Sequence, residues 1–323
     1  MKRLTIPAWC AEKPKRSWGT DLLLFLALLL LLQLTEGIIV GIATVIRIFI
    51  NGTDDALLSG VLPEELMLVS LFSTLPATAA VLLLCRYALG LSPDGLGLTR
   101  TGFSPDYPAG IPVGIGLFAA AFGICLAVGA VRTELSPQVS PVRCLLFFVG
   151  YLLQGASEEI LCRGLLMGML LRRGKLWVGI VGNAAFFALL HLGNSGVTPL
   201  ALLNILLFGI LASLCVLRRG NLWCACAIHS LWNFTQGNLC GISVSGTGSQ
   251  SSLLRTVPIP EKALWNGGAF GLEGGLAVTL ILAAGIIVLL FLIQGRSSRS
   301  QAAQHSTPAS RMRKKTPIFL MIL

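Results

Sequence analysis

Gly-Ala-Ser-Glu-Glu-Ile-Leu-Cys-Arg-Gly-Leu-Leu, residues 155–166, lies inside an apolar run that otherwise reads as a membrane-spanning helix. Two adjacent glutamates, Glu158 and Glu159, and an arginine, Arg163, therefore sit where hydrocarbon is the expected solvent. A charge there costs on the order of several kcal/mol unless it is paired, hydrated or titrated. Three ionisable groups in one such segment demand a reason. Of only three histidines in the chain, two, His191 and His229, also fall in apolar segments.

The rest of the chain supports a membrane reading of that stretch. Hydrophobic residues make up 54% and charged residues 12% of 323, and mean hydropathy is +0.81. The charged share is about half that of a typical soluble domain, too little to cover a soluble surface. The expected fold is all-α, a polytopic bundle of about eight transmembrane helices. Apolar runs place them near 20–50, 62–89, 108–131, 142–171, 176–193, 198–217, 221–237 and 272–294. The first is interrupted by Gln33, Glu36 and Arg47, and the fifth and seventh are short. A basic arm (1–19) precedes N-terminal helices (20–140), a core (141–237), an extramembrane loop rich in Gly and Ser (238–271), a last helix (272–294) and a basic tail (295–323).

Basic residues favour the cytoplasmic side. Lys2, Arg3, Lys13, Lys15, Arg16, Arg86, Arg100, Arg172, Arg173, Lys175, Arg218 and Arg219 share one side of an eight-helix topology with both termini in the cytoplasm. The tail residues Arg296, Arg299, Arg311, Arg313, Lys314 and Lys315 join them, while Asp54, Asp55, Glu64, Glu65 and Glu261 fall outside. The net charge of +10 is thus accounted for by topology and anionic lipid, and nucleic acid is not an expected partner. The first apolar run is too long for a signal peptide and lacks a small-x-small cleavage site, so it reads as an uncleaved anchor. Nine cysteines, mostly in apolar segments, read as small buried residues rather than a disulfide framework.

Glu159 and Arg163 are four apart on one helix face and can pair, which leaves Glu158, about 100° away, free for another task. Phe187 and His191 share a face of the next helix, with Asn183 two turns earlier; His229 and Asn233 share a face further on. Singly, each has a structural reading: a charge network, a packed histidine, an asparagine joining helices. Jointly they supply a general base, a proton carrier and two polarising donors, a set suited to directing water at a peptide carbonyl. The Glu/His/His set Glu158, His191 and His229 could equally hold zinc, which also activates water. At ~1.5 Å per residue these groups reach similar depth near the membrane centre.

Glu-Glu-x-x-x-Arg (158–163), Phe-x-x-x-His (187–191) and His-x-x-x-Asn (229–233), in this order, resemble the three motifs of the CPBP family. These are the CAAX-protease and bacteriocin-processing membrane proteases, also called Abi or type II CAAX prenyl endopeptidases. The resemblance covers about 145–237 and implies an integral, multi-pass intramembrane endopeptidase, of a bacterial cell membrane, acting on a membrane-associated or lipidated peptide or protein. By it, Glu158 is the catalytic base acting with His191, His229 and Asn233 hold the oxyanion, and Glu159 with Arg163 orients the site. Metalloprotease and metal-free glutamate-protease descriptions both exist for the family, so the cofactor expectation is zinc or none. A proton-coupled transporter and a non-catalytic scaffold or immunity protein are the competing classes; no internal repeat supports the first. His-Glu-x-x-His is absent, no expected helix core holds an aspartate, and a Ser157–His229 dyad lacks the glycine that usually follows a serine nucleophile.

Overall fold

Helix boundaries follow local chemistry. Ser17 caps the first helix by accepting from Thr20 N at 3.2 Å, Ser140 caps the fourth by accepting from Arg143 N at 3.3 Å, and Thr198 caps the sixth by accepting from Ala201 N at 3.1 Å. Pro141 and Pro199 each occupy the first helical position, where a missing N–H is harmless. Gly52 and Gly220, with φ of 76° and 75°, end the first and sixth helices.

The computed structural model describes residues 6–11, 16–53, 62–137, 139–247 and 251–305, with side chains through 293. Lys2, Arg3, Lys13, Lys15, Asp54, Asp55, Arg311, Arg313, Lys314 and Lys315 lie outside the described residues, as do the side chains of Arg296 and Arg299. The main helices are α1 (Trp18–Asn51), α2 (Glu64–Leu84, with a wide last turn to Leu89), α3 (Arg100–Ala127) and α4. The last runs Pro141–Glu159, widens to π geometry over Ile160–Met167 and closes at Gly168–Leu171. Then come α5 (Leu176–Leu189), α6 (Pro199–Arg219), α7 (Trp223–Phe234) and α8 (Leu276–His305). Among the described residues six of these, α1, α2, α3, α4, α6 and α8, are long and apolar enough to cross a membrane. The chain is an integral, multi-pass membrane protein.

Four expectations need correction. Helix α3 begins at Arg100, not near 108, although Pro105, Pro108 and Pro112 lie within it. Each proline removes an i→i−4 bond, but Gly102, Gly110 and Gly114 let α3 fit closely on Asn221, Cys224 and Ile228 at the start of α7. The same extension brings Asp106 into a helix, where it is buried and bound by Arg219 and Asn221. Helix α5 stops at Leu189, leaving His191 on the following turn, and α8 continues past 294. Finally, the loop before α8 is not wholly irregular: β2 (Leu254–Pro258) pairs antiparallel with β1 (Val131–Leu135), Thr133 opposite Thr256.

The basic segments gather at one end of the bundle. Arg16 donates to the Ala88 and Leu89 carbonyls, Arg172 to those of Trp9 and Gly95, and Arg173 pairs with Asp21 at 2.7 Å. Leu222 N donates to Gly97 O at 2.9 Å, tying the start of α7 to the same end. At the other end Arg143 pairs with Glu64, Asn194 donates to Ser245 O, and the β1–β2 pair lies beside the end of α3.

Between the ends, α4 and α7 touch almost backbone to backbone. A Cβ on Gly155 would lie 2.5 Å from Ser230 Oγ and 3.0 Å from Ser230 N. Gly164 and Gly168 likewise press on Leu96 and Trp9 rather than opening a passage. Every residue of α7 from Cys224 to Asn233 is buried, so this short helix is a central post, not a lipid-facing span.

Candidate active site

Adjacent glutamates on a helix must point in different directions, and here they do. Glu159 is fully buried; its Oε1 accepts from Arg163 Nη1 at 2.9 Å and from His229 Nδ1 at 3.0 Å. Arg163 is also fully buried and lies 4.5 Å over the Phe187 ring. Among the described residues its Nε and Nη2 have no hydrogen-bond partner, and Glu159 is the one anion in direct contact with it. Glu158 instead turns to a cavity of about 260 Å³, whose wall also includes His191, His229 and Asn233. Thus four sequence-derived candidates meet at one cavity, and Glu159 and Arg163 stand behind its wall.

The histidines are held in defined orientations. His229 lies with Nδ1 on Glu159 and Nε2 3.6 Å from Glu158 Oε2. Aromatic rings flank it, Phe187 at 5.8 Å and Phe208 at 5.1 Å between centroids. His191 N bonds to Ala188 O in the tighter turn that ends α5, so Phe187 O loses its helical partner. The His191 side chain replaces it: Nδ1 lies 2.8 Å from Phe187 O. A carbonyl only accepts, so Nδ1 is the donor and Nε2 is the nitrogen left for the cavity.

Sequence reasoning missed Gln154. It sits one turn before Glu158 on α4, donates from Nε2 to Glu158 Oε1 at 2.5 Å, and accepts from Asn233 Nδ2 at 3.0 Å. Asn233 is therefore linked to the carboxylate through Gln154, while Glu158 Oε2 has no hydrogen-bond partner. The four-residue spacing of Gln154 and Glu158 was the available signal. Glu273, also missed, accepts from Trp232 Nε1, Gln236 Nε2, Ser245 N and Ser245 Oγ, joining the end of α7 to two loops at the cavity's less basic end. Asn183 stays off the cavity wall, bonded to its own helix and Ser213. Ser157 accepts from Thr78 Oγ1 at 2.7 Å, and the His229 nitrogens face Glu158 and Glu159 rather than Ser157, so no Ser–His dyad forms.

The zinc alternative fits poorly. Among the described residues no three His, Cys, Asp or Glu side chains are grouped to hold a metal ion.

Residues 140–235 match the family model for type II CAAX prenyl endopeptidases, described as Rce1-like. The match contains all three motifs and supports assignment to the CPBP/CAAX protease family. Neither a curated protein nor a solved structure matches the chain.

Proposed function

We propose, from the match of residues 140–235 and the cavity that gathers their polar side chains, that this protein is an intramembrane endopeptidase of the CAAX-protease type. Its substrate is a membrane-associated or lipidated peptide or protein, cut by water that Glu158 and His191 activate. The observation that carries this reading is the division of labour within the glutamate pair. One carboxylate is spent on a buried ion pair and the other is presented to a cavity beside two imidazoles.

In the proposed reaction a water held between Glu158 Oε2 and His191 Nε2 loses a proton as it attacks the scissile carbonyl. Gln154 holds Oε1, which leaves Oε2, without a hydrogen-bond partner, to take the proton. Charge develops on the carbonyl oxygen, and the second N–H of Asn233 and, once His229 is protonated on both nitrogens, its Nε2–H are the donors that meet it. Glu159, fixed by Arg163, holds the His229 ring by Nδ1 and keeps it from rotating away. Glu158 then passes the proton to the departing amine, and the C–N bond breaks. The basic end of the bundle faces the cytoplasm in this proposal.

The test is incubation of the purified protein with a library of lipid-anchored peptides, with products read by mass spectrometry. Cleavage by the wild type, lost in Glu158→Ala, His191→Ala and His229→Ala, is expected, and a strong chelator should leave the wild-type rate unchanged. Cleavage that survives Glu158→Ala would overturn the mechanism. Activity lost to chelator and restored by added zinc would overturn its metal-free form.

A further inference from the structure

The cavity wall includes a carboxylate that the proposed hydrolysis does not use. Glu36 of α1 lines it together with Gln33. Among the described residues three carboxylates, Glu36, Glu158 and Glu273, line the cavity and no lysine or arginine does, in a chain whose net charge is +10. Glu273 is saturated by its four donors, and Glu158 is bound by Gln154 and approached by His229. Among the described residues Glu36 has no hydrogen-bond or ion-pair partner, and it shares the cavity with Glu158.

Depth places Glu36 at the reacting level. The Arg173–Asp21 ion pair ties the end of α4 to the start of α1. Glu158 lies fifteen residues before Arg173, and Glu36 lies fifteen residues after Asp21. At ~1.5 Å per residue along α1, and somewhat less through the π segment of α4, both carboxylates stand roughly 20 Å from that pair. Gln33, one turn nearer the basic end, is exposed while lining the same cavity, so the cavity reaches the bundle surface beside α1. An exposed amide midway along a membrane helix is costly unless something polar meets it.

We infer that Glu36 is a specificity-determining residue that binds a cationic side chain of the substrate peptide, with Gln33 hydrogen-bonding the peptide where it passes α1. Two carboxylates facing one low-dielectric space repel each other, and a lysine or arginine brought between them relieves that repulsion. The inference rests on the protease reading, and it locates selectivity in α1, outside the segment 140–235 that matches the family. The shared part would then supply the chemistry and the N-terminal helix the choice of substrate.

The experiment uses the full chain in lipid nanodiscs and a set of lipid-anchored peptides carrying one Lys, Gln or Glu at successive positions. At one position the Lys peptide should be cut with kcat/KM about tenfold above its Gln counterpart, and the Glu peptide should be cut least. Glu36→Gln should erase that preference while leaving cleavage of the Gln peptide and the unfolding temperature unchanged. Equal cleavage of all three peptides by the wild type, or a preference that survives Glu36→Gln, would overturn the inference and leave the protease reading standing. If nothing is cut, the protease reading fails by itself. Binding of the same peptides, read by fluorescence anisotropy, then decides: tighter binding of Lys peptides lost in Glu36→Gln supports the site, and charge-blind binding overturns it.

Discussion

Replacing Arg163 by methionine removes the one cation in direct contact with a carboxylate that has no access to solvent. Glu159 and Arg163 are both 0% exposed, and the pair is a single 2.9 Å contact that also anchors His229. In Arg163→Met the Glu159 charge keeps only the His229 Nδ1–H, and such an uncompensated buried charge costs about 3–5 kcal/mol. At roughly 2–4 °C per kcal/mol for a chain of this order, unfolding should fall by about 10 °C. The assay is thermal unfolding in detergent followed by tryptophan fluorescence. Glu159→Gln with Arg163→Met removes both charges and keeps a carbonyl oxygen for His229 Nδ1, so the double variant should recover most of the loss. A single variant that costs less than about 1 kcal/mol, or a double variant no more stable than the single, would refute the reasoning.

Two further substitutions probe the same wall. Gln154→Leu should lower kcat by about 10–100-fold with little change in unfolding temperature, because it frees Glu158 Oε1 and strands the Asn233 amide; an unchanged kcat would show that Gln154 does not position the carboxylate. Gly155→Ala should destabilise by about 1–3 kcal/mol through its contact with Ser230, and adding Ser230→Ala should restore only part, since the Ser230 backbone N lies 3.0 Å from the new Cβ. Full restoration would mean that the helices separate easily.

The fold was legible wherever apolar length and capping agreed. Ser17, Ser140 with Pro141, and Thr198 with Pro199 mark helix starts that the structure reproduces to within about two residues. It was less legible at α3, where three prolines argue for a loop and only the glycine face on α7 explains a helix. The strand pair was hidden because Val131–Leu135 and Leu254–Pro258 meet across more than a hundred residues. For the site, spacing within one helix was enough to separate Glu158 from Glu159. Gln154 followed the same four-residue rule and was overlooked because a neutral amide raises no charge problem in hydrocarbon. Glu36 was noticed only as an interruption of α1, since depth relative to Glu158 needs the Arg173–Asp21 anchor. The turn that fixes His191 was likewise out of reach, because it depends on α5 ending two residues before that histidine.

The most direct measurement compares kcat for the wild type and Glu158→Gln on one lipid-anchored peptide that the wild type cuts. The isosteric amide keeps the volume and the contact with Gln154 but cannot take a proton from water. A fall of about a thousandfold or more, with the unfolding temperature unchanged, is the expected result, of the order that loss of an essential base produces. A Glu158→Gln protein that cuts the peptide within about tenfold of the wild-type rate would contradict the assignment of Glu158 as the base.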